Sequence, residues 1–365
     1  MDAAPVNISR LKKTLKLGRQ VIFWILGIIA VVAIAWFYGG EEVKVIIFQV
    51  NPVFIGVLAV LQLFTLLMNA YQWYFLLGKF NSILPFSKVF IVCLAGSFVE
   101  SVTPSSKVGG EAFKVYLFRR KTSLSYQEVT GVLVAHKYIS LLPFILICAV
   151  VISMATLRQE VPVIVYLSFA AFGFFFAMLC FLIYRRRKEE GSTSTSTRTS
   201  TSTSFLSLRQ NFLGEKLKSI LLFIAGAAQH ARYLTGRKDR FVLMSLSFVI
   251  WSLYPVKVFI AAAALGLNLE ALTAPIATYF AYLVSMIPLL PGGLGTFEGS
   301  MAFMFSLGGL SSAEGTAVAL LSRGITFWFP LLLSAGAAAY LSLENSLLFF
   351  KDNSSVKGVR KHEIY

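Results

Sequence analysis

The chain reads as an all-α polytopic membrane protein with about six spans plus two re-entrant broken hairpins in an inverted repeat. Three observations predict this. First, 57% of the 365 residues are apolar and only 14% are charged, giving a mean hydropathy of +0.74, far outside the range of soluble domains. Second, apolar runs recur at about 20 residues, the length an α-helix needs to cross ~30 Å of hydrocarbon. Third, two further apolar stretches are interrupted at matching places. One holds Thr103-Pro104-Ser105-Ser106-Lys107-Val108-Gly109-Gly110-Glu111, and the other holds Pro288-Leu289-Leu290-Pro291-Gly292-Gly293-Leu294-Gly295-Thr296-Phe297-Glu298-Gly299. Each runs from proline through a glycine pair to a glutamate, a pattern that bends or breaks a helix.

The spans follow in order at 21–38, 51–77, 129–156, 162–184, 241–265 and 316–343, with broken hairpins near 86–117 and 273–307. The basic residues before Val21 resemble the start of a signal peptide, but the apolar run is long and ends in Trp36-Phe37-Tyr38. It therefore reads as a retained span with an aromatic anchor. The cysteines Cys93, Cys148 and Cys180 lie in apolar runs without paired spacing, which excludes a CxxC metal or redox motif.

Charge tests the topology separately from hydropathy. A net charge of +16 fits the concentration of Lys and Arg in cytoplasmic loops, and no nucleic-acid partner is expected. With the N-terminus inside, cytoplasmic segments hold five Lys/Arg in 1–20, seven in 78–127, twelve in 185–240 and four in 351–365, while the outer loops hold only Lys44 and Arg158. Full crossings by both hairpins would turn the Arg185-Arg186-Arg187-Lys188 cluster outward. The organisation expected is a cytoplasmic N-terminus (1–20), a first membrane half (21–184), a basic linker (185–240), a second membrane half (241–345) and a cytoplasmic tail (346–365). The unit span, hairpin, span occurs twice with one span between, which inverts the second copy, a common plan of secondary transporters. The linker contains a Ser/Thr tract at 191–204, expected to be disordered. Over 205–235 apolar positions recur at three and four, predicting an amphipathic helix on the membrane surface.

Ionisable groups at membrane depth cost a few kcal/mol each on insertion scales and are functional candidates. The transport-site candidates are Arg323, Glu298, Glu111, Lys107, His136 and Lys137. The hairpin-break candidates are Pro104, Gly109, Gly110, Pro288, Pro291, Gly292, Gly293 and Gly295. Arg323 keeps its charge and suits a phosphate or carboxylate; a structural bond to Glu298 or to carbonyls of the break is the other reading. Glu298 and Glu111 stand near the start of a half-helix, where a carboxylate also caps. Lys257 and Lys114 read as structural, the latter near the cytoplasmic interface. Half-helix starts with bare N–H groups, together with Arg323, Lys107 and Lys137, make a site suited to an anionic head group. No HExxH, GxSxG, Walker A or kinase pattern is present, so no enzyme activity, metal or cofactor is expected.

The runs Ser105-Ser106-Lys107-Val108-Gly109-Gly110-Glu111-Ala112-Phe113-Lys114, Pro291-Gly292-Gly293-Leu294-Gly295-Thr296-Phe297-Glu298-Gly299 and Leu321-Ser322-Arg323-Gly324-Ile325-Thr326-Phe327-Trp328 carry a family likeness. The chain resembles, over about 20–345, the flippase-like integral membrane family related to the transmembrane region of lysylphosphatidylglycerol synthase. The resemblance implies movement of a lipid between leaflets. About 15 polar residues follow Phe350, so the synthase's aminoacyltransferase activity is not implied. Where an acidic-basic pair is expected in the first half, this chain has His136-Lys137. The function expected is that of a lipid flippase or transporter moving an anionic phospholipid, glycolipid or polyprenyl-phosphate-linked amphiphile through a midplane cavity in the plasma membrane. A small-solute or ion-coupled carrier, or a scaffold docking a soluble transferase, are the alternatives.

Overall fold

The computed structural model describes residues 40–80, 84–103, 108–158, 162–174, 236–287 and 290–359, with isolated positions between 25 and 36; past 344 it describes backbone alone. Among the described residues all regular structure is helical. Four helices are long and apolar enough to cross a membrane: Pro52–Gly78, Tyr126–Leu157, Arg237–Ala264 and Ser312–Glu344. They coincide with four of the spans predicted. The span expected at 162–184 is described only as the helix Val163–Phe174. The span at 21–38, the Ser/Thr tract and the helix expected over 205–235 lie outside the described residues, apart from the isolated positions.

The elements run α1 (Gly40–Phe48), α2 (Pro52–Gly78), α3 (Phe86–Val102), α4 (Val108–Lys121), α5 (Tyr126–Arg158), α6 (Val163–Phe174), α7 (Arg237–Ala264), α8 (Thr273–Ser285), a 3₁₀ turn (Pro291–Gly293), α9 (Thr296–Leu307), α10 (Ser312–Arg323), a π turn (Gly324–Trp328) and α11 (Phe329–Val359). Local sequence sets the starts. Ser125 and Glu128 close a reciprocal cap ahead of α5, and Ser311 and Glu314 do the same at α10, each bonding two otherwise orphaned N–H groups. One element was not expected. Residues 39–50 read as an outer loop, but α1 folds there because Val43, Ile46 and Ile47 find an apolar partner in Ala313 and Ala317 of α10.

The core is apolar, but large apolar side chains also cover the outer faces and several polar groups are buried. Val53, Val57, Val60 and Phe64 of α2, Phe241, Val242 and Val249 of α7, and Leu332 and Leu343 of α11 are exposed, while Gln62, Thr65, Gln72, Ser247, Lys257, Thr278, Glu298, Thr316 and Arg323 are buried. Apolar faces turned outward and polar groups turned inward suit a hydrocarbon solvent, in which each unsatisfied polar group costs several kcal/mol.

The chain forms two compact units. One comprises residues up to Tyr71, Pro85–Leu117 and Leu253 onward; the other comprises Gln72–Leu84 and Phe118–Ser252. In the second unit, Gln72 Nε2 donates to Ser247 Oγ (2.7 Å) and to the Leu243 carbonyl (3.1 Å), Lys79 pairs with Asp239 (2.6 Å), and Trp251 Nε1 donates to the Ser140 carbonyl (2.9 Å) while its ring meets Phe144. The first unit holds both interrupted hairpins, α3–α4 and α8–α9. Here α8 lies along α9, α9 along α10, and α3 along both α11 and the 3₁₀ turn. Helix α8 is buried on nearly every side, as expected of a helix apolar all round.

Candidate functional site

The second break is built from its glycines. Leu290 enters extended, and Pro291 starts a single 3₁₀ turn in which Gly292 (φ 61°) and Gly293 (φ 69°) take left-handed backbone, which costs an L side chain ~1–2 kcal/mol. Space forbids side chains there as well: a Cβ on Gly292 would run into the Phe327 ring, and one on Gly293 into Ser285. Gly295, also left-handed at φ 78°, then opens α9.

Breaking a helix frees backbone groups that need partners, and two charged side chains supply them. Glu298, fully buried, accepts from the Gly295 N–H at 2.7 Å through Oε2. Arg323, also buried, donates from Nη2 to the Gly292 carbonyl. The two side chains meet at 3.2 Å, Arg323 Nε to Glu298 Oε1, but the N–H is not aligned, and neither atom makes a hydrogen bond. The guanidinium is held between the rings of Phe297 and Phe327, 4.6 and 4.3 Å from their centroids, an arrangement that steadies a desolvated cation. The structure thus realises the capping role of Glu298 and the structural bonds of Arg323, and leaves one donor and one acceptor in reserve.

Arg323 owes its position to a feature the sequence reading did not use. The expected span at 316–343 widens into a π turn directly after Arg323, where the Phe329 N–H reaches the Gly324 carbonyl five residues back. Pro330 explains it: a proline has no N–H for the Thr326 carbonyl, and its ring pushes against that carbonyl. Thr326 donates its own hydroxyl to the Ser322 carbonyl at 2.8 Å. The signal was present as Gly324 and Pro330 flanking an apolar run.

The first break carries a similar pair. Glu111 and Lys114 in the first turns of α4 form an ion pair at 3.2 Å, and both are 7% exposed. Lys114, expected to be structural, is packed over Gly96 of α3. Glu100 of α3 is near enough to act on its charge. Gly110 brings the limbs into backbone contact, since a Cβ there would meet Glu100 and the Gly96 carbonyl; small residues allow such approach in membranes. Gly109 is half-buried beside it.

The structure therefore brings Glu111, Glu298, Arg323, Gly109, Gly110, Pro291, Gly292, Gly293 and Gly295 into one unit. His136 and Lys137 belong to the other unit, where the buried His136 ring lies 5.3 Å from Trp73. Pro104, Lys107 and Pro288 fall outside the described residues. Among the described residues no three His, Cys, Asp or Glu side chains gather as metal ligands.

The family model described as the lysylphosphatidylglycerol synthase TM region matches residues 23–334. The chain belongs to this family. Within the lysylphosphatidylglycerol synthase TM region family, it is similar to a UPF0104 membrane protein of Methanothermobacter thermautotrophicus, 24% identical over 340 residues that cover 88% of this chain and 95% of the relative. A UPF0104 membrane protein of Pyrococcus horikoshii is 23% identical over 318 residues, covering 86% and 95%. Another, from Methanocaldococcus jannaschii, is 20% identical over 323 residues, covering 87% and 94%.

Proposed function

We propose that this family member is a carrier that moves an anionic amphiphile, such as a phospholipid, glycolipid or polyprenyl-phosphate-linked molecule, between the leaflets of the plasma membrane without catalysing a reaction. One observation carries the reading. Behind each glycine-rich break stands a buried acid-base pair, Glu111 with Lys114 and Glu298 with Arg323, and both breaks belong to one compact unit. Buried charge at a broken helix is the arrangement of a transport site, not of a passive bundle.

The hairpin limbs favour re-entrance. Those of the second contain 13 and 12 residues and reach ~20 and ~18 Å at ~1.5 Å per residue, short of ~30 Å of hydrocarbon. With six spans, cytoplasmic termini and an inverted second half, the two hairpins enter from opposite sides and gate a midplane cavity alternately. The free Nε–H of Arg323 receives the phosphate, and Glu298 Oε1 is the counter-charge it displaces.

The test is leaflet-to-leaflet movement of labelled anionic phospholipid in proteoliposomes. The unmodified chain is expected to move it, Arg323→Lys to slow it by at least tenfold through loss of the planar fork, and Arg323→Ala to abolish it. Absence of movement of any anionic lipid by the unmodified, folded chain overturns the reading in favour of a small-solute carrier or a docking scaffold.

A further inference from the structure

A second buried charge lies outside the acid-base pairs. Lys257, in the middle of α7, is 1% exposed. Its Nζ donates to Gln62 Oε1 and, at 3.3 Å, to Thr65 Oγ1, both on α2, and stands 4.2 Å from the ring centroid of Tyr254 on its own helix. A lysine at membrane depth ordinarily reaches for the interface or pairs with a carboxylate. Lys257 does neither: among the described residues its partners are Gln62, Thr65 and Tyr254, none of them anionic.

The chemistry around Nζ distinguishes its two protonation states. Thr65 gives its one hydroxyl hydrogen to the Leu61 carbonyl at 2.8 Å, so toward Lys257 it only accepts. Gln62 presents its carbonyl oxygen. Two acceptors match the two hydrogens of a neutral amine. An ammonium has a third hydrogen, and among the described residues the π face of Tyr254 receives it. The ring is therefore the element that favours the charged form, since an amine lone pair facing π density gains nothing.

That ring is joined to the second break. Tyr254 meets Tyr282 edge-on at 4.9 Å, Tyr282 meets Phe297 at 5.2 Å, and Phe297 lies under Arg323 at 4.6 Å. All four belong to the unit that holds both hairpins. Tyr279 of α8 and Arg323 act on Tyr282, Thr326 of the π turn hydrogen-bonds the Tyr282 hydroxyl, and Glu100 of α3 acts on Tyr254. From α10 and the π turn, Leu321 and Ile325 close the neighbouring turn of α7 with apolar surface.

We propose that Lys257 is the proton-binding site of the carrier. It keeps its proton while Tyr254 covers it and yields the proton when movement of the second break draws the aromatic relay away. In that step one N–H bond of the ammonium breaks, the proton passes to water, and the electron pair stays on Nζ; the reverse step reloads it. The proposal rests on the carrier reading, but its test does not.

The full chain, with ¹⁵N-labelled lysine, is placed in lipid nanodiscs, and the Nζ resonance that disappears in Lys257→Met is followed from about pH 6 to about pH 10, where an ordinary lysine, with a pKa of ~10.4, stays mostly ammonium. Both the ammonium and amine forms of Lys257 are expected within that range. Tyr254→Phe, which keeps the ring face, should match the unmodified chain. Tyr254→Leu should shift the population toward amine by about tenfold at a given pH. A Lys257 that stays ammonium throughout in both the unmodified chain and Tyr254→Leu overturns the proposal, as does a Tyr254→Phe that behaves like Tyr254→Leu. Movement of labelled lipid with a fixed ammonium retains the carrier and removes the proton site; a responsive Lys257 in a chain that moves no lipid does the reverse.

Discussion

Arg323 makes one guanidinium serve three purposes: it holds the Gly292 carbonyl, faces Glu298 and fills the gap between Phe297 and Phe327. Removing one partner of a buried pair leaves an uncompensated charge, typically ~3–5 kcal/mol. Glu298→Gln keeps an acceptor for the Gly295 N–H but drops the charge, so it should lower stability by about that amount, read as the thermal midpoint in detergent. Adding Arg323→Met to Glu298→Gln should restore a large share, because the two effects are not additive. Gly292→Ala forces a side chain into left-handed backbone and against Phe327. It should cost ~1–2 kcal/mol from backbone alone, and lipid movement should fall with it. The glycines of both breaks were legible from the sequence because positive φ and close approach leave few other choices. The Phe297 and Phe327 clamp was not, since 33 phenylalanines in the chain give no sign of which two will stack on a cation.

Among the elements, the long helices were legible because each is a sustained apolar run bounded by polar or glycine residues, and four reappear within a few residues of the expected limits. Helix α1 was hidden. Nine residues with two glutamates and a lysine resemble a loop until Ala313 and Ala317 cover them. The first hairpin depends on backbone contact at Gly110, so Gly110→Leu should force its limbs apart. The thermal midpoint in detergent should then fall below that of the unmodified chain. The π turn offers a sharper test. Deleting Thr326 returns Gly324–Trp328 to ordinary α geometry, which removes the widened turn beside Arg323 while keeping the helix after it nearly in phase. Helix content by circular dichroism should stay within error of the unmodified chain while transport is lost; retained transport would show that the widened turn has no part in it.

For the whole molecule, composition alone identified a membrane protein, and burial explains why: large apolar side chains cover the outer faces as well as the core, while polar residues such as Gln72, Lys257, Glu298 and Arg323 are buried. What composition could not do was rank those residues. Lys114 and Lys257 both read as structural in the sequence; only the fold shows that one pairs with Glu111 and that the other, among the described residues, rests on Gln62, Thr65 and Tyr254 without an anion. The linker lends itself to a direct experiment. Removing 191–204 should leave transport unchanged if the chain acts as a carrier, and should abolish recruitment of a soluble transferase if it acts as a scaffold. One further consequence follows from the run α10, π turn, α11. It is a single continuous backbone that lies along α9 of one hairpin at one end and along α3 of the other hairpin at the opposite end. Two hairpins packed on one axle do not move independently. Torque on either is delivered to the other, and the turn beside Arg323 is where that axle can take up twist.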